Sequence, residues 1–254
     1  MIDIIVVGYP KSGNTWITRL VGELLQAPII GFWNSNQYEM AVEGLDRSSN
    51  FQIYKGHQEF NKLKLNSSGQ TKIIYVIRDP RDICISAFHY WKFGILPLKN
   101  DFYDLLRKIY NKFIYPLFFT KNRRLNKMIN IIIKGDKQKS WLDIPWNNHV
   151  YTYLDKDVLI IKYEDMLSNP FDSCKQILSY LNYHLSDDEI RISIDNQSFE
   201  RKKNQLSLER TKRETEFLRK GQAGDGKKNL SKKQYSNLTS SFQGLLEKFD
   251  YNID

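Results

Sequence analysis

Residues 3 to 25, DIIVVGYPKSGNTWITRLVGELL, run from a strand into a glycine-bounded loop and then into a helix, with no break. Such a loop aims backbone N–H groups at one point, and the dipole of the following helix adds partial positive charge there, so the segment binds anions. Gly8 and Gly13 have the spacing of the phosphate loop G-x-x-x-x-G-K-[ST], and Thr15 takes its hydroxyl position. Residue 14 is Asn, however, and the lysine is Lys11, inside the loop. Lys11, Ser12, Asn14 and Thr15 supply side-chain donors, and Gly8 and Gly13 relieve backbone crowding. A phosphate site is expected here, with its charge moved from the usual place.

The same strand texture returns downstream. IDIIVV (2–7), KIIYVIRD (72–79) and DVLIIKYED (157–165) are short apolar runs of the kind that a parallel strand buried on both faces requires, and FQIYKGH (51–57) is a weaker one. Helical spacing lies between them. Trp16, Leu20 and Leu24 with Ile17, Val21 and Leu25 follow the loop. Asn169-Pro170 starts a helix carrying Phe171, Cys174, Ile177, Leu178 and Leu181. Ser186 with Glu189 and Ser231 with Gln234 read as capping boxes. The fold class expected is α/β, a single domain over residues 1–254 with a central parallel sheet flanked by helices, like a P-loop nucleotide kinase.

Residues 97–145 stand apart as a helical, basic insertion. Phe102, Leu105, Leu106, Ile109 and Phe113 share one helical face, and Leu125, Met128, Ile129 and Ile132 share another. Three readings stay open: a helical pair packed on the sheet with a solvated basic face, a cap over an acceptor pocket, and a membrane-surface helix.

Net charge is +9, and it is regional. Residues 97–139 hold 11 Lys/Arg against 3 Asp/Glu, and residues 201–233 hold 12 against 4. Such a balance suits an anionic ligand, nucleic acid or lipid headgroups. No helix-turn-helix, zinc or RNP pattern accompanies it, so nucleic acid is not the expected partner. Cys84 and Cys174 are far apart, which suits a reduced chain with both thiols in the core. Neither a secretory signal nor a stretch near the ~18 apolar residues of a membrane span is visible, so the expected location is cytoplasmic, without stable membrane insertion.

In VIRDPRDICISAFHYW (76–91), Arg78 ends a strand at the sheet edge where α/β proteins bind ligands, Asp82 starts a helix, and Ser86 lies on its early turns. An Arg and a hydroxyl at that edge make a second phosphate site. YPKSGNTW, KGH (55–57), Arg78 through Ser86, YED (163–165) and FLRKGQAGDGKK (217–228) occur in an order that resembles the cytosolic-type sulfotransferases, which use 3′-phosphoadenosine 5′-phosphosulfate (PAPS).

The resemblance implies a set of roles. Lys11 would stabilise charge on the leaving 5′-phosphate as the S–O bond breaks, without a metal. His57 would be the general base, with Lys55 and Ser86 as further catalytic groups. Ser12, Gly13, Asn14 and Thr15 would hold the 5′-phosphosulfate. Trp16 and Phe199 would sandwich the adenine, and Tyr163 would approach the nucleotide. Arg78, Ser86, Arg219, Lys220 and Gly221 would clamp the 3′-phosphate, with residues 201–233 forming a nucleotide-covering loop. PAPS would be the co-substrate and PAP the product. The acceptor would be a small alcohol, phenol or amine, with oligomeric state open. Phe32, Trp33, Tyr38, Phe88, Tyr90, Trp91 and Trp146 are expected around its pocket.

Of the remaining histidines, His89 is expected in helix packing, His149 in a structural role and His184 in solvent. The sequence also departs from the family pattern. Gly226 replaces the Trp of G-D-W-K-N, which puts the packing of the covering loop in question, and Lys232 and Ser236 break the family's dimer motif. A nucleotide kinase is the alternative. It would need lysine at position 14 and an apolar strand ending in a magnesium-binding Asp. A basic nucleic-acid-binding protein is the second alternative.

Overall fold

The structure is a computed structural model and describes residues 1–34, 42–65, 70–91, 103–138, 142–198, 201 and 221–252. Five strands, β1 (Ile2–Val7), β2 (Ile29–Phe32), β3 (Phe51–Gly56), β4 (Thr71–Ile77) and β5 (Leu159–Lys162), form one sheet in the order β2-β3-β1-β4-β5. Every pairing between these strands is parallel. The helices are α1 (Asn14–Leu24), α2 (Pro80–Tyr90), α3 (Asp104–Ile109), α4 (Tyr115–Phe118), α5 (Lys121–Lys134), α6 (Trp146–Leu154), α7 (Tyr163–Ser168), α8 (Pro170–Tyr180), α9 (Asp187–Asn196), α10 (Asp225–Asn229) and α11 (Lys232–Lys248). A π-helical turn, Tyr110–Ile114, joins α3 to α4.

Strand residues alternate between two cores because successive side chains point to opposite faces. Ile5, Val7, Ile73, Tyr75 and Ile77 pack with Ile83 of α2, Met128 of α5, Trp146 of α6 and Leu238 of α11. Ile4, Val6, Ile74 and Val76 pack with Ile17 and Val21 of α1 and with Cys174 and Ile177 of α8. Both cysteines are buried and free, one in each core. From β1 the sheet grows to β3 and β2 on one side and to β4 and β5 on the other. That reversal opens a crevice at the carboxyl end of β1, where the 8–13 loop sits.

Several elements differ from the sequence reading. β2 was not visible there: it is four residues long, follows Pro28 and carries Gly31 at φ 138°. The 157–165 run is strand only over Leu159–Lys162, and Tyr163 opens α7, with Glu164 and Asp165 in a first turn where carboxylates suit the dipole. α2 starts at Pro80 rather than Asp82. Asp79 caps it by accepting from the Arg81 N–H at 2.8 Å. His89 is exposed at the end of α2, its ring edge-on to Phe88 at 5.1 Å, rather than buried in helix packing. Both capping boxes form.

In the 97–145 region, α5 buries Leu125, Met128, Ile129 and Ile132 as its spacing requires. Leu105, Leu106, Ile109 and Phe113 do not pack on the sheet and are exposed. Phe102 lies outside the described residues. The chain there is held instead by Tyr115, which is buried with the Arg124 guanidinium 5.4 Å from its ring centre.

Candidate active site

The loop after β1 is shaped by backbone conformations that few residues adopt. Lys11 sits at φ 72° and Gly13 at φ 95°. A Cβ on Gly13 would lie 2.3 Å from a ring carbon of Tyr163, so only glycine lets α7 approach the loop. Tyr163 is buried, packs edge-on against Trp16 and carries the Arg78 guanidinium over its ring at 4.2 Å. The ends of β1, β4 and β5 therefore meet around one aromatic ring.

Asn14 explains the displaced lysine. Its Nδ2 donates to the carbonyls of Gly8 at 2.9 Å and Gly56 at 3.2 Å, tying the loop to the end of β3. The resemblance implies that this amide binds phosphate, but both of its hydrogens are committed to the protein. A lysine here would remove the side-chain amide that joins these two carbonyls.

That commitment also fixes the tautomer of His57. Its Nδ1 lies 2.8 Å from the Gly8 carbonyl and 3.1 Å from Asn14 Nδ2. With the amide hydrogens spent on carbonyls, the consistent arrangement has Nδ1–H donating to Gly8 and Nε2 carrying the lone pair. Burial holds the His57 pKa well below its ordinary value, and the nearby Lys55 charge lowers it further. The ring is a neutral imidazole with its basic nitrogen turned from the loop carbonyl.

His149 holds the strand end that carries His57. Its Nε2–H donates to the His57 carbonyl at 3.0 Å, and its Nδ1 accepts from the Tyr75 hydroxyl at 2.9 Å. Tyr153 donates to the next carbonyl, Gln58, at 2.6 Å. The structural role expected of His149 is thus a support for His57. Tyr75 and Tyr153 looked like ordinary strand and helix core residues, with no sequence signal to mark them.

Lys55 is buried and donates to Thr15 Oγ1 at 2.7 Å, leaving the Thr15 hydroxyl hydrogen to donate elsewhere. Burial, with the charges of Lys11 and Arg19, lowers its pKa to about 7. Lys11 also lowers the His57 pKa and has its ammonium 4.1 Å from the Tyr90 ring centre. Ser12 Oγ is buried without a hydrogen-bond partner among the described residues.

Arg78 is buried and donates to the Lys11 carbonyl at 3.0 Å and the Gln222 carbonyl at 3.1 Å, while its Nε has no hydrogen-bond partner among the described residues. Ser86 is half-buried on α2. Trp16 donates to the Gln197 carbonyl at 3.0 Å, which fixes the plane of the indole. Gly221 is at φ 56° beside Gln222. Phe199, Arg219 and Lys220 lie outside the described residues, as does Tyr38.

Asp82, expected to start α2, has a second role. Its carboxylate accepts from the Gly224 N–H at 2.7 Å and the Gly226 N–H at 2.6 Å, pinning the segment after the 201–220 stretch to α2. Gly226 is needed for this contact: a Cβ there would lie 2.8 Å from the Arg81 Cβ and 2.9 Å from its carbonyl carbon. The departure from G-D-W-K-N thus has a steric reason. Among the expected pocket residues, Trp33 and Trp146 are buried in the core. Phe32 remains beside His57, its ring centre 6.0 Å away. Among the described residues, no group of three or more His, Cys, Asp or Glu side chains is placed to hold a metal ion.

A family model described as the sulfotransferase domain matches residues 1–250. "Sulfotransferase 6B1" of Mus musculus is 26% identical, with 96% of this chain and 76% of the relative covered. "Amine sulfotransferase" of Oryctolagus cuniculus is 26% identical, with 97% and 81% covered. Among solved structures, mouse sulfotransferase SULT7A1 complexed with PAP has a TM-score of 0.68 at 24% identity, covering 98% of this chain and 85% of that one. Retinol dehydratase in complex with androsterone and inactive cofactor PAP has a TM-score of 0.65 at 17% identity, covering 96% and 80%.

Proposed function

The chain belongs to the sulfotransferase family, and we propose that it moves a sulfuryl group from PAPS to a hydroxyl or amine of a small organic acceptor by in-line transfer. The observation that carries the reading is His57, a neutral base fixed by its Nδ1–H on a carbonyl of the phosphate loop itself. The fit to PAPS is supported by Lys11, Lys55 and Arg78 around the loop and by the buried polar atoms Ser12 Oγ and Arg78 Nε. When bound, PAPS supplies the sulfuryl group and leaves as PAP.

His57 Nε2 takes the proton of the acceptor. A neutral imidazole suits that task. Thr15, Ser12 and the loop N–H groups hold the 5′ end. Lys55 and Lys11 place positive charge where charge develops in the transition state. Arg78, with Ser86, Arg219, Lys220 and Gly221, receives the 3′-phosphate, Trp16 and Phe199 hold the base, and Tyr163 approaches the nucleotide from beneath the loop. Asn14 acts by stapling the loop. Phe32 beside His57 favours an acceptor with an apolar body.

The test is transfer from radiolabelled PAPS to a panel of phenols, alcohols and amines. His57→Ala is expected to lose transfer by about a hundredfold or more while keeping PAP affinity. Transfer near the wild-type rate would remove His57 from the base role.

A further inference from the structure

The stretch from α3 through the π-helical turn to α4 carries large apolar side chains that the protein leaves in solvent. Leu105 is 67% exposed, Leu106 59%, Phe113 59%, Leu117 73% and Phe118 60%. Lone exposed hydrophobics are ordinary, but a contiguous set on one helical stretch marks a surface with a partner. The spacing Leu105, Ile109, Phe113, Leu117 keeps the i, i+4 rhythm of a single face.

Charge says what partner. Lys108 and Lys112 interleave with these apolar residues and are exposed. The one acidic residue of the stretch, Asp104, lies against Arg107 at 3.9 Å. The adjoining α5 continues the pattern, with Lys121, Arg123, Lys127 and Lys134 exposed. Arg123, Lys127 and Lys134 line a shallow concavity of about 430 Å³ together with Asn126 and Asn130, with Asp136 as its one carboxylate, so cations outnumber acids there three to one. Arg123 donates to the Phe118 carbonyl at 3.2 Å, so the basic concavity begins where the apolar helix ends. Among residues 103–138, 9 are Lys or Arg and 2 are Asp.

We propose that α3, the π-helical turn, α4 and the basic face of α5 together dock the protein on an anionic lipid membrane surface. The apolar side chains enter the headgroup–acyl boundary while the lysines and arginines meet lipid phosphates. No helix among the described residues is long and apolar enough to cross a membrane, so the contact is peripheral. A second copy of the chain fits less well, because two such faces would bring like charges together.

The test uses the full chain with sedimented vesicles of phosphatidylcholine alone and of phosphatidylcholine mixed with phosphatidylglycerol. Binding is expected to the mixed vesicles only and to weaken with added salt. The double variant Leu105→Glu/Phe113→Glu is expected to lower the partition coefficient by about tenfold or more. Far-ultraviolet circular dichroism and thermal melting establish that it is folded. Should it not fold, Leu117→Trp gives a second readout: a blue shift of its fluorescence on mixed vesicles, unlike on neutral ones. Equal binding to both vesicle types, no binding to either, or a concentration-dependent dimer that Leu105→Glu abolishes would overturn the proposal. These readouts are independent of sulfuryl transfer, so the two proposals fail separately.

Discussion

Nucleotide binding should draw a proton onto Lys55. In the free protein its pKa is lowered to about 7 by burial and by the charges of Lys11 and Arg19. At pH 8 a lysine with that pKa is only about one-tenth protonated. An anion placed at Thr15, 2.7 Å from the Lys55 ammonium, favours the charged form. Binding PAP at pH 8 should therefore take up as much as about 0.9 proton per site. His57 is held well below its ordinary value and adds nothing to the count there, and phosphate groups, with a second pKa of about 6, are already ionised. The assay is calorimetric titration of PAP at pH 8 in Tris and in HEPES. The dependence of the observed heat on buffer ionisation enthalpy gives the proton count. Lys55→Met should bring that count to near zero. A wild-type heat independent of buffer, or an unchanged count in Lys55→Met, would refute the reasoning. The same shift has a sign in stability. Between about pH 7 and the ordinary lysine value of 10.5, the unfolded chain binds more protons than the folded one, so Lys55 makes the free protein more stable as pH rises through that window.

Two substitutions probe the supports of the site. Gly226→Ala puts a Cβ 2.8 Å from the Arg81 Cβ and 2.9 Å from its carbonyl carbon, an overpacking expected to cost about 1–3 kcal/mol and to show as a lower Tm by differential scanning fluorimetry. An unchanged Tm would mean that α10 gives way freely. His149→Phe removes the donor to the His57 carbonyl and the acceptor for Tyr75. Stability should fall by about 1–3 kcal/mol for each buried group left unpaired. Beyond that, kcat should drop by up to about a hundredfold as His57 shifts, with PAP affinity retained. A stability loss with unchanged kcat would make His149 a core residue only.

What the sequence made legible followed local rules. Buried runs gave β1 and β4, periodicity gave α1, α5 and α8, and Ser186 and Ser231 gave two helix starts. The short β2, with Pro28 and Gly31, carries too few residues for a period to show. The exposure of Leu105 and Phe113 was equally hidden, because an apolar helical stripe looks the same whether it meets a core or a partner. At the site, the residue types at 11, 55, 57 and 78 stood in recognisable motifs, and the described residues place them around one loop. The amide of Asn14, the clamp from Asp82 and the support from His149 and Tyr75 were invisible because each depends on carbonyls or N–H groups distant in the chain.

The most direct test of the central claim is titration of the purified protein with PAP, with adenosine 5′-phosphate and with ATP–Mg²⁺, the first two in the presence of EDTA. The account predicts tight binding of PAP, with weak binding of the nucleotide that lacks the 3′-phosphate, because Arg78 is buried beside the loop with its Nε without a hydrogen-bond partner among the described residues. Preference for ATP–Mg²⁺ would contradict it and return Gly8–Thr15 to a nucleotide-kinase reading.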